Sequence, residues 1–466
     1  MNRTHHYRVL GALLIAFPLV TAYGQDQVAE PGTFDPETTS AHQTPEPNVA
    51  VDAAAAAPQL IQSQAVKIPG RVIVPESSIV RPGDAGRRAH TNHLVFVPQG
   101  MQMAATANMA RPQELASGAA ITPNYTFAEN PGSIGCVYRV GPTYPGCTPA
   151  AGFGKHPVGG SGAIAIVDAY HNPNAASDLA YFSAYFGLPA ANFTQVYCLP
   201  SHGSCYSTNA PPATNKGWGL EEALDIEWAH AMAPNAKIFL IEAASNSMYD
   251  LTWAEAWAGY YVDINGGGQV SNSWGGGEFA GETAYDSFFN NYSGSYKPVV
   301  YLASSGDSGT VEYPSASPFV VSVGGTTINR DISGNFLSET CWSGTGRGAS
   351  TVEAIPSYQS TIGGLAGTKR WTTDISFDAD PASGVWVYDA LNGGWFVVGG
   401  TSLSAPAMAG IMNNAGNKFA TTALENNLLY SEFVGKATKL ADFYDPAPAG
   451  YDACTGIGTP RTLIGK

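Results

Sequence analysis

The 466-residue sequence predicts an α/β fold, a doubly wound, mainly parallel sheet with helices on both faces. Two strands carry this reading. Ala163–Val167 and Val299–Leu302 are short apolar runs, each ending in a polar turn that would project side chains into the crevice at the carboxyl edge of a sheet. The third observation is a helix of small residues, Ala405 to Gly410, suited to close packing on such a sheet and opened by Gly399-Gly400.

Residues 1–24 read as a secretion signal, with Arg3 and Arg8 before the apolar run Val9–Val20 and small residues at Ala22 and Gly24. No other run approaches the roughly 18 apolar residues of a membrane helix, so no membrane association is expected once the signal is removed. Residues 25–120 read as a linker rich in Ala, Pro, Thr and Gln followed by a short N-terminal region, in which Val72-Ile73-Val74 and Leu94–Val97 could make a small hairpin. Residues 121–466 form the main domain.

Along that domain, strand 163–167 delivers Asp168 to the crevice edge. Gly219–Ala231, ended by Pro234, reads as one amphipathic helix with Leu220, Leu224, Trp228 and Ala231 buried. Glu221 and Asp225 share its adjoining face one turn apart. Like charges there repel by about 0.2 to 0.5 kcal/mol in an isolated helix unless they share a proton, an arrangement suited to acid-base work. The turn Ser304–Gly309 after the second strand presents Asp307. Finally, Gly399-Gly400-Thr401-Ser402 sets a serine at a helix start, where free N–H groups can hold a developing oxyanion; Pro406 suits a first helical turn. A serine nucleophile needs a base. The nine histidines include no HGTH-like setting, and His90 and His93 lie in the N-terminal region.

Composition fits an extracellular protein that tolerates acid. Lys and Arg total 22 against a net charge of −15, so little positive repulsion builds up at low pH and nucleic-acid binding is not expected. Six cysteines fit an oxidising compartment, and the nearest-neighbour choice among 15 connectivities pairs Cys136 with Cys147, Cys198 with Cys205, and Cys341 with Cys454.

Taken together and in order, GTSLSAP around Ser402, EEALDIEWA from Glu221, SSGDSG around Asp307, Ser271–Gly275, Trp342–Gly344 and Asp374–Pro381 resemble the sedolisins, the serine-carboxyl peptidases of subtilisin-like fold. The resemblance implies Ser402 as nucleophile, Glu221 as general base, Asp225 as the carboxylate behind it, and Asp307 as oxyanion donor. It implies Asp168 as an extension of that chain, near Trp274. It further implies a Ca2+ site at the C-terminus, with Asp442, Phe443, Pro448, Gly450 and Asp452 as ligands, although the loop is shorter than usual and Pro448 stands in place of glycine. The expected protein is a secreted, monomeric endopeptidase acting on protein or peptide substrates in acid, its inhibitory prodomain reduced or absent. Two alternatives remain: a subtilisin-type Ser/His/Asp protease with an unplaced histidine, and a catalytically silent binding protein on the same scaffold.

Overall fold

Strand Ala163–Ala169 (β4 below) is buried on both sides, and its residue parity organises the molecule. Ile164 and Ile166 enter one core with Leu220, Leu224, Leu403 and Met408, while Ala163, Ala165 and Val167 enter the core on the opposite face. The same parity turns Asp168 toward the crevice helices.

The computed structural model describes residues 65–466 except 100–102, 105–110, 113–127, 201–202, 291–296, 361, 363–364, 366, 417–418, 434–442, 445–450 and 465. Gln62–Lys466 forms one compact unit; the other, Met1–Ile61, lies outside the described residues, and the expected secretion signal falls within it. In chain order the elements used here are β1 (Gly70–Ile73), β2 (His90–Thr91), β3 (Leu94–Pro98), β4 (Ala163–Ala169), α1 (Ala175–Phe186), β5 (Asn192–Leu199), β6 (Ser204–Tyr206), α2 (Lys216–Met232), β7 (Lys237–Ala243), α3 (Met248–Ile264), β8 (Gly268–Asn272), β9 (Trp274–Gly277), β10 (Val299–Ser304), β11 (Glu312–Tyr313), β12 (Val321–Arg330), β13 (Phe336–Cys341), β14 (Ile375–Asp378), β15 (Val385–Asp389), β16 (Gly394–Gly399), α4 (Thr401–Ala415), β17 (Phe443–Tyr444) and β18 (Thr459–Pro460).

The nine-stranded main sheet runs β13-β12-β10-β8-β4-β7-β5-β6, with β14 also paired to β12. Pairings from β12 through β5, and that of β14, are parallel; β13 and β6 close the two ends antiparallel. Helix α3 covers one face, while α2 and α4 cover the other. This is the expected doubly wound α/β architecture.

Helix α2 differs from the expectation. It starts earlier, at Lys216, because the Asn215 side chain accepts the N–H groups of Gly217 and Trp218 at 3.0 and 3.1 Å. It is also not amphipathic: every residue from Trp218 to Met232 is buried. The sheet, α1, β15 and α4 enclose it on all sides. Gly410 of α4 lies so close that a Cβ there would be 2.6 Å from Met232 Cβ, which explains the run of small residues.

Pro406 sits in the second turn of α4 rather than the first. Its missing N–H leaves the Ser402 carbonyl free of its helical partner, and Ser273 Oγ donates to that oxygen at 3.2 Å.

The segment before residue 99 is built into this body. β1 pairs antiparallel with β3 as the hairpin reading expects, but β3 also pairs with β16, making the four-stranded sheet β1-β3-β16-β15. All three disulfides join the expected nearest neighbours.

Candidate active site

Three elements converge on Ser402. Gly400, at φ 102°, turns the chain from β16 into α4, so that Ser402 lies in the first helical turn, fully buried. Asp307, at the end of β10, caps that helix: its Oδ1 accepts the Thr401 N–H at 2.8 Å and the Thr401 hydroxyl at 2.9 Å. Its Oδ2 has no hydrogen-bond partner among the described residues. A Cβ on Gly400 would lie 2.4 Å from this oxygen, so only glycine leaves it room.

Glu221 and Asp225 come from α2, one turn apart, and Asp168 from β4 lies behind them. Burial raises the pKa of Glu221 well above the ordinary carboxylate range, and its contacts with the Ser402 hydroxyl and Asp225 offset only part of that rise. Asp225 is raised by burial and then by the charge of Glu221, with Ser273 opposing. Asp168 is raised by burial, then by Asp225, Glu221 and Glu242. Trp274 donates its indole N–H to Val167 O at 3.1 Å, which places it beside this strand end. The structure thus brings Ser402, Glu221, Asp225, Asp168 and Asp307 to one crevice of the sheet.

A second line of carboxylates was not read from the sequence as part of the site. Glu222, the third acid of the helix motif, is buried beside Glu242 of β7 and accepts the Asn172 N–H at 3.0 Å. Glu242 meets His171 Nδ1 at 2.8 Å, near the surface. Glu222 does not face solvent, because α2 has no solvated face.

Also unanticipated are Asn92 and His93. The Asn92 N–H is shared between Ser273 O at 3.2 Å and Ser402 Oγ at 3.1 Å, while the Ser402 N–H donates to Asn92 O at 2.9 Å. The His93 imidazole contacts Glu221 through Nδ1, and burial pushes its pKa down to about 3, with Asp389 opposing, so it is neutral over most of the acid range. No local pattern marks these residues, since a two-residue strand carries no periodicity.

At the C-terminus β17 pairs with β18. Of the expected metal ligands, Asp442, Pro448 and Gly450 lie outside the described residues, and Phe443 is seen only as backbone in β17. Asp452 Oδ1 accepts the N–H groups of Cys454 and Thr455 at 2.8 and 3.0 Å, and its Oδ2 accepts the Thr455 hydroxyl. Both oxygens thus serve their own turn, and Asp452 alone makes no cation cradle. Among the described residues no cluster of three or more His, Cys, Asp or Glu suits a metal.

The chain matches the subtilase family over residues 198–451. It is 30% identical to kumamolisin from Bacillus sp. (strain MN-32) over 314 residues, covering 59% of this chain and 55% of that protein. Against sedolisin from Pseudomonas sp. (strain 101) it is 37% identical over 116 residues, 23% of this chain and 19% of that one. The chain therefore spans about half the length of the first of these relatives and less of the second. In fold it is similar to the structure of Pseudomonas sedolisin, a serine-carboxyl proteinase complexed with two molecules of pseudo-iodotyrostatin, at a TM-score of 0.56 and 22% identity over 72% of this chain and 96% of that one. With the subtilase match covering more than half of its length, and with sedolisins among its curated relatives, this chain belongs to the subtilase family and is sedolisin-like within it.

Proposed function

We propose that this protein is a secreted serine-carboxyl endopeptidase that hydrolyses peptide bonds in acid. The observation that carries the reading is a buried serine at a helix start whose N–H holds one backbone carbonyl, that of Asn92, at 2.9 Å and whose hydroxyl contacts the Glu221 carboxyl. In the reaction Ser402 Oγ attacks the substrate carbonyl carbon and Glu221 takes its proton. Asp225, backed by Asp168, shares charge and proton with Glu221, which makes the base strong enough to act in acid. The oxyanion is held by the Ser402 N–H and by a protonated Asp307 Oδ2. Glu221 then returns its proton to the departing amine, and water resolves the ester by the same steps in reverse.

The working protonation state has Glu221 ionised and Asp307 protonated, so activity belongs to the window between their pKa values. Burial raises both. When a substrate or solvent opens the crevice the burial effect shrinks and both fall back toward the carboxylate range, which sets the window in acid.

A histidine-based mechanism finds less support. His93 touches Glu221 through Nδ1, while its Nε2 has no partner among the described residues. The calcium reading at Asp442, Phe443, Pro448, Gly450 and Asp452 stays a proposal for the C-terminal loop, and no step of the chemistry runs through it.

Digestion of a denatured test protein at about pH 4 separates these mechanisms. Glu221→Gln should lose roughly 100-fold to 10,000-fold in rate, the usual contribution of a general base, while His93→Ala should keep its activity. The reverse ranking would replace Glu221 by His93 as the base.

A further inference from the structure

Parallel strands β4 and β7 set Asp168 opposite Glu242, so the two carboxyls stand on the same face of the sheet, with their backbones about 4.8 Å apart. Glu222 of α2 comes down on the same spot. Its carboxyl is within hydrogen-bond reach of Glu242, and the Asn172 N–H is shared between them, 3.0 Å from Glu222 Oε2 and 3.3 Å from Glu242 Oε1. The row that begins at Ser402 with Glu221, Asp225 and Asp168 therefore continues through Glu222 and Glu242. It ends at His171, whose Nδ1 lies 2.8 Å from Glu242 Oε2 and whose side chain is 11% exposed, against none of Glu242. Tyr170 sits at φ 74°, in the left-handed region that a tyrosine rarely adopts, and the turn it makes returns His171 and the Asn172 N–H to Glu242.

The carboxyls of this row differ in what holds them. Glu242 meets three donors, His171 with its proton on Nδ1, the Asn172 N–H and Gln195 Nε2, a set that suits the ionised form. Glu222 faces that charge and carries a proton: burial raises its pKa well above the carboxylate range, and Glu242 and Asp168 raise it further, with only Asn172 opposing. Asp168 has no donor, since both of its oxygens are buried without a partner among the described residues. A negative charge there would lie unbonded beside that of Glu242, whereas a charge on Glu221 is held by the Ser402 hydroxyl and by Asp225.

We propose that Glu242, held ionised by His171, is a fixed negative charge behind the catalytic carboxyls: it keeps Asp168 protonated and so keeps the charge of the network on Glu221 and Asp225, next to Ser402. Glu222 is the proton-bearing spacer between the two charges. Glu242 and His171 touch neither the serine nor a substrate, so they are positioning residues. This role rests on the serine-carboxyl reading above and adds to it what fixes the place of the charge. The titratable groups that face Glu242 are Asp168 and His171 from β4 and its turn, Glu222 from α2 and Tyr197 from β5. Those that face Glu221 are Asp225, Asp168, His93 and Asp307, and neither set contains a lysine or arginine.

The test measures kcat and KM of the full-length protein on one peptide across about pH 2 to 8. The variants are Glu242→Gln, His171→Gln, the two together, and Glu242→Gln with Asp168→Asn. Without the charge of Glu242 the network ionises more readily, but part of its charge moves to Asp168, away from the serine. Glu242→Gln should therefore lower kcat about 3-fold to 10-fold, a fraction of what a general base contributes, with KM unchanged. It should also move the acidic limb of the profile down by about half a pH unit, because a like charge has been removed. His171→Gln leaves Glu242 buried without its partner, where it takes up a proton, and should change both quantities in the same direction by less. The double variant should match Glu242→Gln, since the pair acts as a unit. Asparagine at 168 can hold no charge, so adding Asp168→Asn to Glu242→Gln should recover most of the lost kcat. A merely structural role would lower kcat at every pH, leave the limb in place and be made worse by Asp168→Asn; that result would refute the role of Glu242 and leave the peptidase reading standing. If Glu242→Gln does not fold, the limb of His171→Gln decides in the same way. If wild type cuts no peptide in acid, both fall.

Discussion

The body that supplies the proposed catalytic side chains and the N-terminal segment that contacts Ser402 are held in opposite ways. Helix α2 is enclosed on every side, and its acids are fixed by packing against β4, α4 and β15. The segment from Pro75 to Pro98 is held by strand edges and small polar bridges: two residues of β2 on β9, β3 on β16, and the hydroxyls of Ser77 and Ser78 on Thr91 and the His93 carbonyl. Ile79 and Val80 along it remain exposed. Packing of the first kind is lost only with the fold, whereas bonds of the second kind can be exchanged for water one at a time. The difference implies that the machinery and its occlusion are separable, so that the segment can lift while the carboxylates keep their places.

The sharpest break in that comparison is on the body side. Asp307→Ala removes the proposed oxyanion donor and the cap on Thr401, and should lower the turnover of an outside substrate by roughly 100-fold to 1000-fold. A smaller effect is expected on the segment side. Ser77→Ala with Ser78→Ala removes bridges worth about 1 kcal/mol each, so the double variant should admit an outside peptide about 5-fold to 30-fold more readily, read as kcat/KM with no change in the melting temperature of the body. A matching loss of global stability would mean that the segment is part of the core after all.

Much of the site was legible because its chemistry is local in sequence. Glu221 and Asp225 are one helical turn apart, and Ser402 and Asp307 each stand in a short glycine-marked turn. The sheet was legible from strands such as 163–167, whose apolar runs reflect burial on both faces. The all-round burial of α2 was not, because the residues that cover Glu222 and Glu227 come from β7, β15 and the loop after β4, far away in sequence. Nor were Asn92 and His93, whose role depends on two strand edges of distant elements. Pro406 was placed one turn too early because its compensation, the hydroxyl of Ser273, also comes from afar.

The smallest effect concerns stability against pH. Burial raises Glu255 to about 8 and Glu425 to about 8, and it raises Glu221 and Asp225 as well. Folded-state pKa values above the unfolded ones mean that the folded chain binds more protons between the two. The contribution of these groups is therefore complete below about pH 4 and is lost as the pH rises through about 8, a tenfold difference in proton affinity between the folded and unfolded chain being worth about 1.4 kcal/mol. Denaturant unfolding should give a midpoint that falls from about pH 4 to pH 8; a midpoint that rises would show that these acids are ionised and paired in the fold.

The central claim, that a carboxylate base works with a protonated carboxyl donor, is tested most directly by the pH dependence of kcat/KM for wild type and Asp307→Asn on one peptide across about pH 2 to 8. Wild type should show a bell centred in acid, with Glu221 setting the acidic limb and Asp307 the limb toward neutrality. In Asp307→Asn the amide donates at every pH, so the acidic limb should remain and the neutral limb should flatten. A wild-type rate that climbs to a plateau at neutrality, with Asp307→Asn following the same curve, would contradict it.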